Sequence, residues 1–321
     1  MRNILFYAMM LFVSLSCSKD DIDNEESVEG KEYAVKIGFD GEISISESPL
    51  LKNTGDDLYG VQVYVKDGKS GNYAPYAYGL FDTPSLMEVK LISGSIYKFE
   101  ASMVENGKNK IYHSSSSLDY HDPFGAIKFA YAPLNNKFVY SSSDFMNGLY
   151  RGWSDIESGK LLGDEYSRPN TTRFYGTHLD YSPSGDNSLT INMKKVCFGA
   201  KLVTEGLTNG EVVVDIEGAP QLIIAYSSTV VQDVFTFAGG SSDGRWINDD
   251  YSESIPVSIS WHKSDGSVKP VSSSNINFKR NKLTTITVKL SGDSQVSASG
   301  KVNISLEDNE MQLGDNIVVG L

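Results

Sequence analysis

Cysteine is nearly absent from this chain. Its 321 residues contain Cys17 and Cys197 and no others, so a disulfide-stapled framework is excluded once either thiol is used for something else. Histidine is scarce as well. His113, His121, His178 and His262 stand in four different segments, and nothing in their spacing matches a zinc cluster. Positive charge is outweighed: 28 Lys and Arg face 41 Asp and Glu, a net charge of −13. A phosphate-binding surface needs basic patches, so nucleic acid is not an expected partner. Long apolar runs are missing too. Ile4–Leu15 covers about twelve residues, short of the ~20 that span a bilayer as a helix, and no later segment approaches that length. Finally, no window of twelve or more residues shows a sustained 3.6 period.

What is present begins at the N-terminus. Arg2 supplies a positive start, the apolar stretch to Leu15 is broken only by Ser14, and Ser16 ends it, which is the build of a removable export signal over residues 1–16. Ser14-Leu15-Ser16-Cys17 resembles a bacterial lipobox, departing from it at Ser14, where Leu is usual. The resemblance implies cleavage before Cys17 and lipid on its thiol. Acyl chains bury at roughly 0.8 kcal/mol per CH2, so several of them anchor stably. The following "SKDDIDNEE" has nothing to bury, and residues 17–30 read as a solvated acidic tether. Its Lys19-Asp20-Asp21 start resembles the export tag of surface-exposed lipoproteins of the Bacteroidota. The expected location is the outer membrane, lipid-anchored and facing outward.

Loss of the signal leaves 321 − 16 = 305 residues, 40% of the whole chain being hydrophobic, enough for two domains with real cores. Almost everything after residue 30 alternates with a period of two. In "EVVVDIEG", Val212, Val214 and Ile216 share one face; in "NKLTTITVKLSG", Ile286, Val288 and Leu290 do. Further strands are expected at "YAVKIGF", "LYGVQVYV", "LMEVKLI", "SIYKFEASMV", "AIKFAYAP", "NSLTINM", "FGAKLVTEG", "QLIIAYSS", "DVFTFAG", "IPVSISWH" and "KVNISL". Asp67-Gly68, Asn106-Gly107, Asn209-Gly210 and Asp265-Gly266 provide turns between strands. From about Ser141 to Asn187 the alternation fades, with at most one short helix near "SSSDFMNGLYRG". The fold expected is all-β: two tandem antiparallel β-sandwiches, 31–186 and 187–321, behind the signal and the tether.

Catalytic chemistry is hard to find. His121 has Asp122 beside it, but neighbours on an extended chain point apart, and both are expected in a loop. His262 is expected at the surface or half-buried. Gly240-Ser241-Ser242-Asp243-Gly244 matches G-x-S-x-G, yet "RWINDDYSES" after it is no helix former, and a nucleophile elbow needs a helix there. Asp243, Asn248, Asp249 and Asp250 gather oxygens without EF-hand spacing. Cys197 lies in "MKKVCFGAKLV" and reads as a small buried residue. No catalytic residue, metal site or cofactor is expected, and the chain is read as a non-enzyme. The aromatic side chains of "YRGWSD" and "GRWINDD", Trp153 and Trp246, are candidate glycan contacts, with the alternative that such rings seal the ends and seam of the sandwiches.

"INMKKVCFGAKLVTEGLTNGEVVVDIEGAPQLII", "DVFTFAG" and "NFKRNKLTTITVKL" together resemble the fimbrillin-like lipoproteins of the Bacteroidota. The likeness is best over residues 186–290: Lys194 and Lys195 opening a strand, a Gly218-Ala219-Pro220 turn, and Phe278, Arg280 and Asn281 before a last alternating strand. It implies transthyretin-like sandwiches and a role as subunit or accessory component of an adhesive pilus, joined to other subunits by strand exchange. The candidate exchanged strands are "EYAVKIGF" and "MQLGDNIVVGL". The resemblance also implies proteolytic maturation. No Arg lies between Cys17 and Arg151, so the candidate cut is at Lys52, in the loop behind the first strand. The expected partners are pilus subunits, the outer membrane through lipid, and host or glycan ligands. The alternative reading is a glycan-binding surface lipoprotein of a polysaccharide-uptake system.

Overall fold

A computed structural model describes residues 30–42, 55–68, 71–114, 118–125, 131–156, 164–185, 188–239, 244–290 and 303–311. Cys17, Lys52, Ser242, Asp243 and residues 312–321 lie outside them. The first half forms β1 (Glu32–Gly41), β2 (Leu58–Asp67), β3 (Ala74–Phe81), β4 (Glu88–Ile92) and β5 (Ser95–Val104). A four-residue helix, α1 (Gly107–Lys110), follows, then short strands β6 (Asp119–Tyr120), β7 (Ala132–Pro133), β8 (Val139–Tyr140), β9 (Ser154–Ile156) and β10 (Asp164–Tyr166). Longer strands resume with β11 (Arg173–Tyr181), β12 (Ser188–Lys195), β13 (Cys197–Glu205), β14 (Glu211–Ile216), β15 (Leu222–Ala225) and β16 (Val230–Thr236). The last four are β17 (Ser252–His262), β18 (Val268–Lys279), β19 (Lys282–Lys289) and β20 (Asn303–Glu310). The protein is all-β.

The first eight-stranded sheet runs β4-β1-β12-β11-β5-β2-β3-β8 and folds over on itself. Val35, Ile37 and Phe39 of β1, with Val89, Leu91, Leu189 and Ile191 beside them, pack on Val61, Val63, Phe99, Ala101 and Phe174 in one buried cluster. Phe39 stacks on Tyr59 at 5.7 Å although their strands are not ladder neighbours, so the contact crosses between layers. The alternation in each strand places these side chains on one face. At β4, an end of the order, backbone groups are met by phenols. Tyr140 Oη accepts the Lys90 N–H at 2.8 Å, Tyr97 Oη accepts the Ile92 N–H at 2.8 Å, and Tyr76 Oη donates to the Lys90 carbonyl at 2.8 Å.

β1 has an unusual place. Its first half, Glu32–Lys36, pairs antiparallel with β4, and its second half, Lys36–Gly41, pairs parallel with β12. The strand therefore lies diagonally, each half with a single ladder partner, and joins β4 to the rest of the sheet. A second parallel pair, β13 with β19, stands among otherwise antiparallel ladders.

The weakly patterned middle forms a cover on the outer face of β2, β3, β5 and β11. Gly60 admits it: a Cβ there would stand 2.6 Å from the Phe124 ring. Buried Gln62 donates to the Val63 and Ala77 carbonyls and accepts the Met146 N–H at 2.9 Å. Near "SSSDFMNGLYRG", where the sequence allows at most one short helix, the chain forms a run of turns. Two of its backbone groups, the Met146 N–H and the Leu149 carbonyl, are taken by Gln62 and Arg173 from the sheet.

β12, directly after residue 187, is a central strand of the first sheet; the chain passes to a second sandwich at Val196. That sandwich has two four-stranded sheets, β16-β13-β19-β20 and β15-β14-β17-β18. Phe198, Leu202, Ile286 and Val288 of one sheet share a core cluster with Val212, Val214, Ile255, Val257, Ile259 and Phe278 of the other. The same cluster runs on through Phe237 and Trp246 to Tyr175, Phe124, Leu149 and Leu58, so the two sandwiches and the cover share continuous apolar packing.

Candidate functional site

The best-built polar site lies where β1 ends. Gly41 has φ +98, a left-handed conformation, and a Cβ there would stand 2.6 Å from the Met193 carbonyl. Glycine lets the chain turn off the sheet against β12. The next residue, Glu42, donates its N–H to the Met193 carbonyl and sends its carboxylate toward the second sandwich. There Arg280 Nη1 meets both carboxylate oxygens at 3.1 and 2.8 Å, and the Lys195 N–H donates to Oε2 at 2.7 Å. Lys194 Nζ stands 3.5 Å from Oε1.

Arg280 occupies the two-residue connection between β18 and β19, held by Asn281 at φ 56, a conformation asparagine tolerates well. Its side chain is only 4% exposed. Nη1 also donates to the Lys195 carbonyl at 3.0 Å, Nε to the Asn248 carbonyl at 2.9 Å, and Nη2 to Asp249. A buried guanidinium must be paired on every side to offset its desolvation, and this one is. Burial pushes the Glu42 carboxyl's pKa up. The hydrogen bonds from Arg280 and the Lys195 N–H, with the charges of Arg280 and Lys194, outweigh that and leave it below the ordinary carboxylate value.

Lys194 and Lys195, neighbours in sequence, and Arg280, 85 positions after Lys195, thus meet at one point. Gly218 belongs to the turn after β14: at φ +76, its carbonyl accepts the Arg168 N–H at 2.7 Å. Arg168 continues to the Glu217 carbonyl and, through Nη2, to Glu253 at 2.7 Å. Sequence reasoning missed Glu42 and Arg173. An acid one residue after a glycine at a strand end looks like any loop residue, and no periodicity marks it.

The candidate aromatics separate. Trp153 is 47% exposed, whereas Trp246 is 2% exposed and packs on Tyr175 at 5.3 Å between ring centres. The Trp246 ring is therefore part of the seam and presents no face to a sugar. Tyr120 and Phe124 are buried as well. Cys197 is fully buried, and burial pushes its thiol up to about 11; its Sγ accepts the Arg173 N–H at 3.1 Å.

The partner of His121 is Asp155, at 2.9 Å, and its ring stacks on Tyr131 at 3.9 Å. Asp122 is pushed up to about 6 by burial first, then by Asp155 and Glu165. On the second sandwich, Ser260 Oγ lies 3.0 Å from His262 Nε2, with Glu211 3.9 Å from Nδ1. The order of groups is that of a hydrolase triad. The three stand on a half-exposed sheet face, however, and the amides of β14 and β17, both interior strands, serve their ladders. These strands offer no donor pair to an oxyanion. Asp249 is committed to Arg280 and Lys194. Among the described residues, no three His, Cys, Asp or Glu side chains gather as a metal site.

The chain matches no protein-family model and no curated protein. Solved structures similar to it include the fimbrial anchor protein Mfa2 from Porphyromonas gingivalis, at 11% identity over 87% of this chain and 98% of that one, with a TM-score of 0.40. Another is the tip fimbrial protein Mfa3 from the same species, with a C-terminal truncation, at 8% identity over 87% and 98% of the two chains, with a TM-score of 0.35.

Proposed function

We propose that this chain is a surface-anchored fimbrillin-like lipoprotein, a subunit or accessory component of an adhesive pilus joined to its partners by strand exchange. The observation that carries the reading is the placement of β1. It contributes Val35, Ile37 and Phe39 to the core, each worth roughly 1.5–3 kcal/mol of burial. Yet each half of its backbone has one ladder partner, and residues 43–54 behind it hold Lys52. A strand so placed can leave as a unit and be replaced by another that fills the same three pockets. The signal, the lipobox-like Ser14–Cys17 and the acidic tether support delivery to the membrane surface. We place the two units at 30–195 and from Val196 onward, because β12 pairs in the first sheet.

Two experiments test this reading. Cys17→Ser should release the protein from the outer-membrane fraction, leaving it soluble or unprocessed; a variant that still sediments with the membrane overturns the anchor. Limited trypsin should cut at Lys52, and an Arg-specific protease should leave residues 30–150, with β1, uncut, since no Arg lies there. Oligomer ladders after the trypsin cut support strand exchange. A nicked protein that stays monomeric favours an anchor or tip role, or the second reading, glycan binding, for which the exposed face of Trp153 is the one specific observation.

A further inference from the structure

We propose that Arg280, with the Lys195 N–H and Lys194 beside it, is a carboxylate receptor that selects which strand occupies the β1 position. The inference rests on the strand-exchange reading and adds a specificity element to it. The ligand class is an extended peptide with an apolar side chain, one free position, a glycine and then an acid, as in Phe39-Asp40-Gly41-Glu42.

Each position has its own physical reason. Phe39 ends the buried run and stacks on Tyr59. Asp40 is exposed and uses its carboxylate on the Gly41 N–H at 2.7 Å, which leaves that position open to other residues. Gly41 is required by its left-handed φ and by the 2.6 Å that a Cβ would leave to the Met193 carbonyl. The acid completes the shell of Arg280. Without it, a guanidinium at 4% exposure keeps Asp249 and two carbonyls but loses both Glu42 oxygens. Aspartate is one carbon shorter, and an amide has no charge to match. The selection therefore draws on Arg280 of the second sandwich, reaching across the seam to join Lys194 and the Lys195 N–H at the end of β12, and acts on a strand whose apolar side chains lie in the first. Main-chain ladders accept almost any sequence, so a charge-paired end position is where discrimination between strands can reside.

The test uses the full mature chain as wild type, Glu42→Gln and Arg280→Lys, followed by amide hydrogen exchange resolved by peptide. Glu42→Gln should speed exchange in residues 32–41 at least tenfold while residues 95–104 of β5 keep wild-type protection; Arg280→Lys, which retains charge without the fork, should fall between. Unchanged exchange in β1 overturns the proposal, and so does an equal loss in β5, which would mark a general stability role. A second measurement offers labelled synthetic peptides of residues 31–42, native or with Glu42→Gln, to trypsin-nicked protein. At least tenfold preference for the native peptide supports the receptor, and equal uptake overturns it. If neither peptide enters, strand exchange itself fails, and the exchange data alone decide whether Arg280 holds β1.

Discussion

Replacing Arg173 by Met should lower stability by about 2–6 kcal/mol, the cost of leaving two buried carbonyls without donors. Arg173 is fully buried at the start of β11. Its Nε donates to Ser102 Oγ at 2.7 Å, Nη1 to the Arg151 carbonyl at 2.6 Å and Nη2 to the Leu149 carbonyl at 2.7 Å, and the guanidinium lies 5.6 Å from the Trp246 ring. One side chain therefore binds β5, the turn segment of the cover and the seam. Methionine fills most of the volume and leaves two carbonyls without donors, at ~1–3 kcal/mol each. Arg173→Lys should recover little, since one ammonium cannot match a planar fork aimed at separate acceptors. Thermal unfolding followed by circular dichroism reads the result as a fall of several degrees or more in the midpoint. A wild-type midpoint in Arg173→Met would show that the cover is held by its apolar contacts alone.

The second large effect is expected at Gly152. Its N–H donates to the Ala238 carbonyl at 2.7 Å, and a Cβ on it would overlap the Phe237 carbonyl oxygen. That oxygen belongs to backbone and has no rotamer to move into. Gly152→Ala must push the 149–152 turn away from residues 237–239 and loosen the bridge between Arg151 and Gly239. Overpacking of this kind costs ~1–3 kcal/mol or more. Trp246 sits beside Gly239, at 3.2 Å from a Cβ placed there, so its emission should shift to the red while far-ultraviolet dichroism stays β-type. Gly38→Ala is the control: a Cβ there meets nothing closer than 3.9 Å, and stability should hardly change. Equal behaviour of the two variants would dispose of the close approach at Gly152.

The strands that alternate cleanly are legible in the sequence alone. "SIYKFEASMV" is β5 to the residue, and "EVVVDIEG" and "NKLTTITVKLSG" contain β14 and β19, each running past its strand. Each keeps its apolar side chains mainly on one face, as in β5 with Tyr97, Phe99, Ala101 and Met103 on one side and Lys98, Glu100 and Ser102 on the other, which writes a period of two into sequence even where the cover buries both faces. β18 was not legible because "VKPVSSSNINFK" is an edge strand with most side chains exposed; nothing selects for apolar residues along it. β11 hid for the opposite reason. Arg173, Phe174 and Tyr175 are all buried, on both faces, so the alternation vanishes under the cover. At the seam, Lys194, Lys195 and Arg280 could be singled out by resemblance, but their convergence on Glu42 depends on chain reversals that bring together residues 238 apart. Trp246 carried no sign of its burial, because a single turn at Arg245–Ile247 decides which way its indole faces.

The phenols at β4 bear on which margin of the first sheet another chain could join. An unpaired strand invites any passing chain to add to it. Here the donors and acceptors of Lys90 and Ile92 are occupied by Tyr76, Tyr97 and Tyr140, whose rings also contact one another edge to face at 5.2 and 5.6 Å. Oxygens on side chains thus do at this margin what another backbone would otherwise do. The closure is encoded in three hydroxyl groups, and phenylalanine, which keeps every ring contact and lacks only the oxygen, is the single-letter route from a sealed margin to one that other chains can join without instruction.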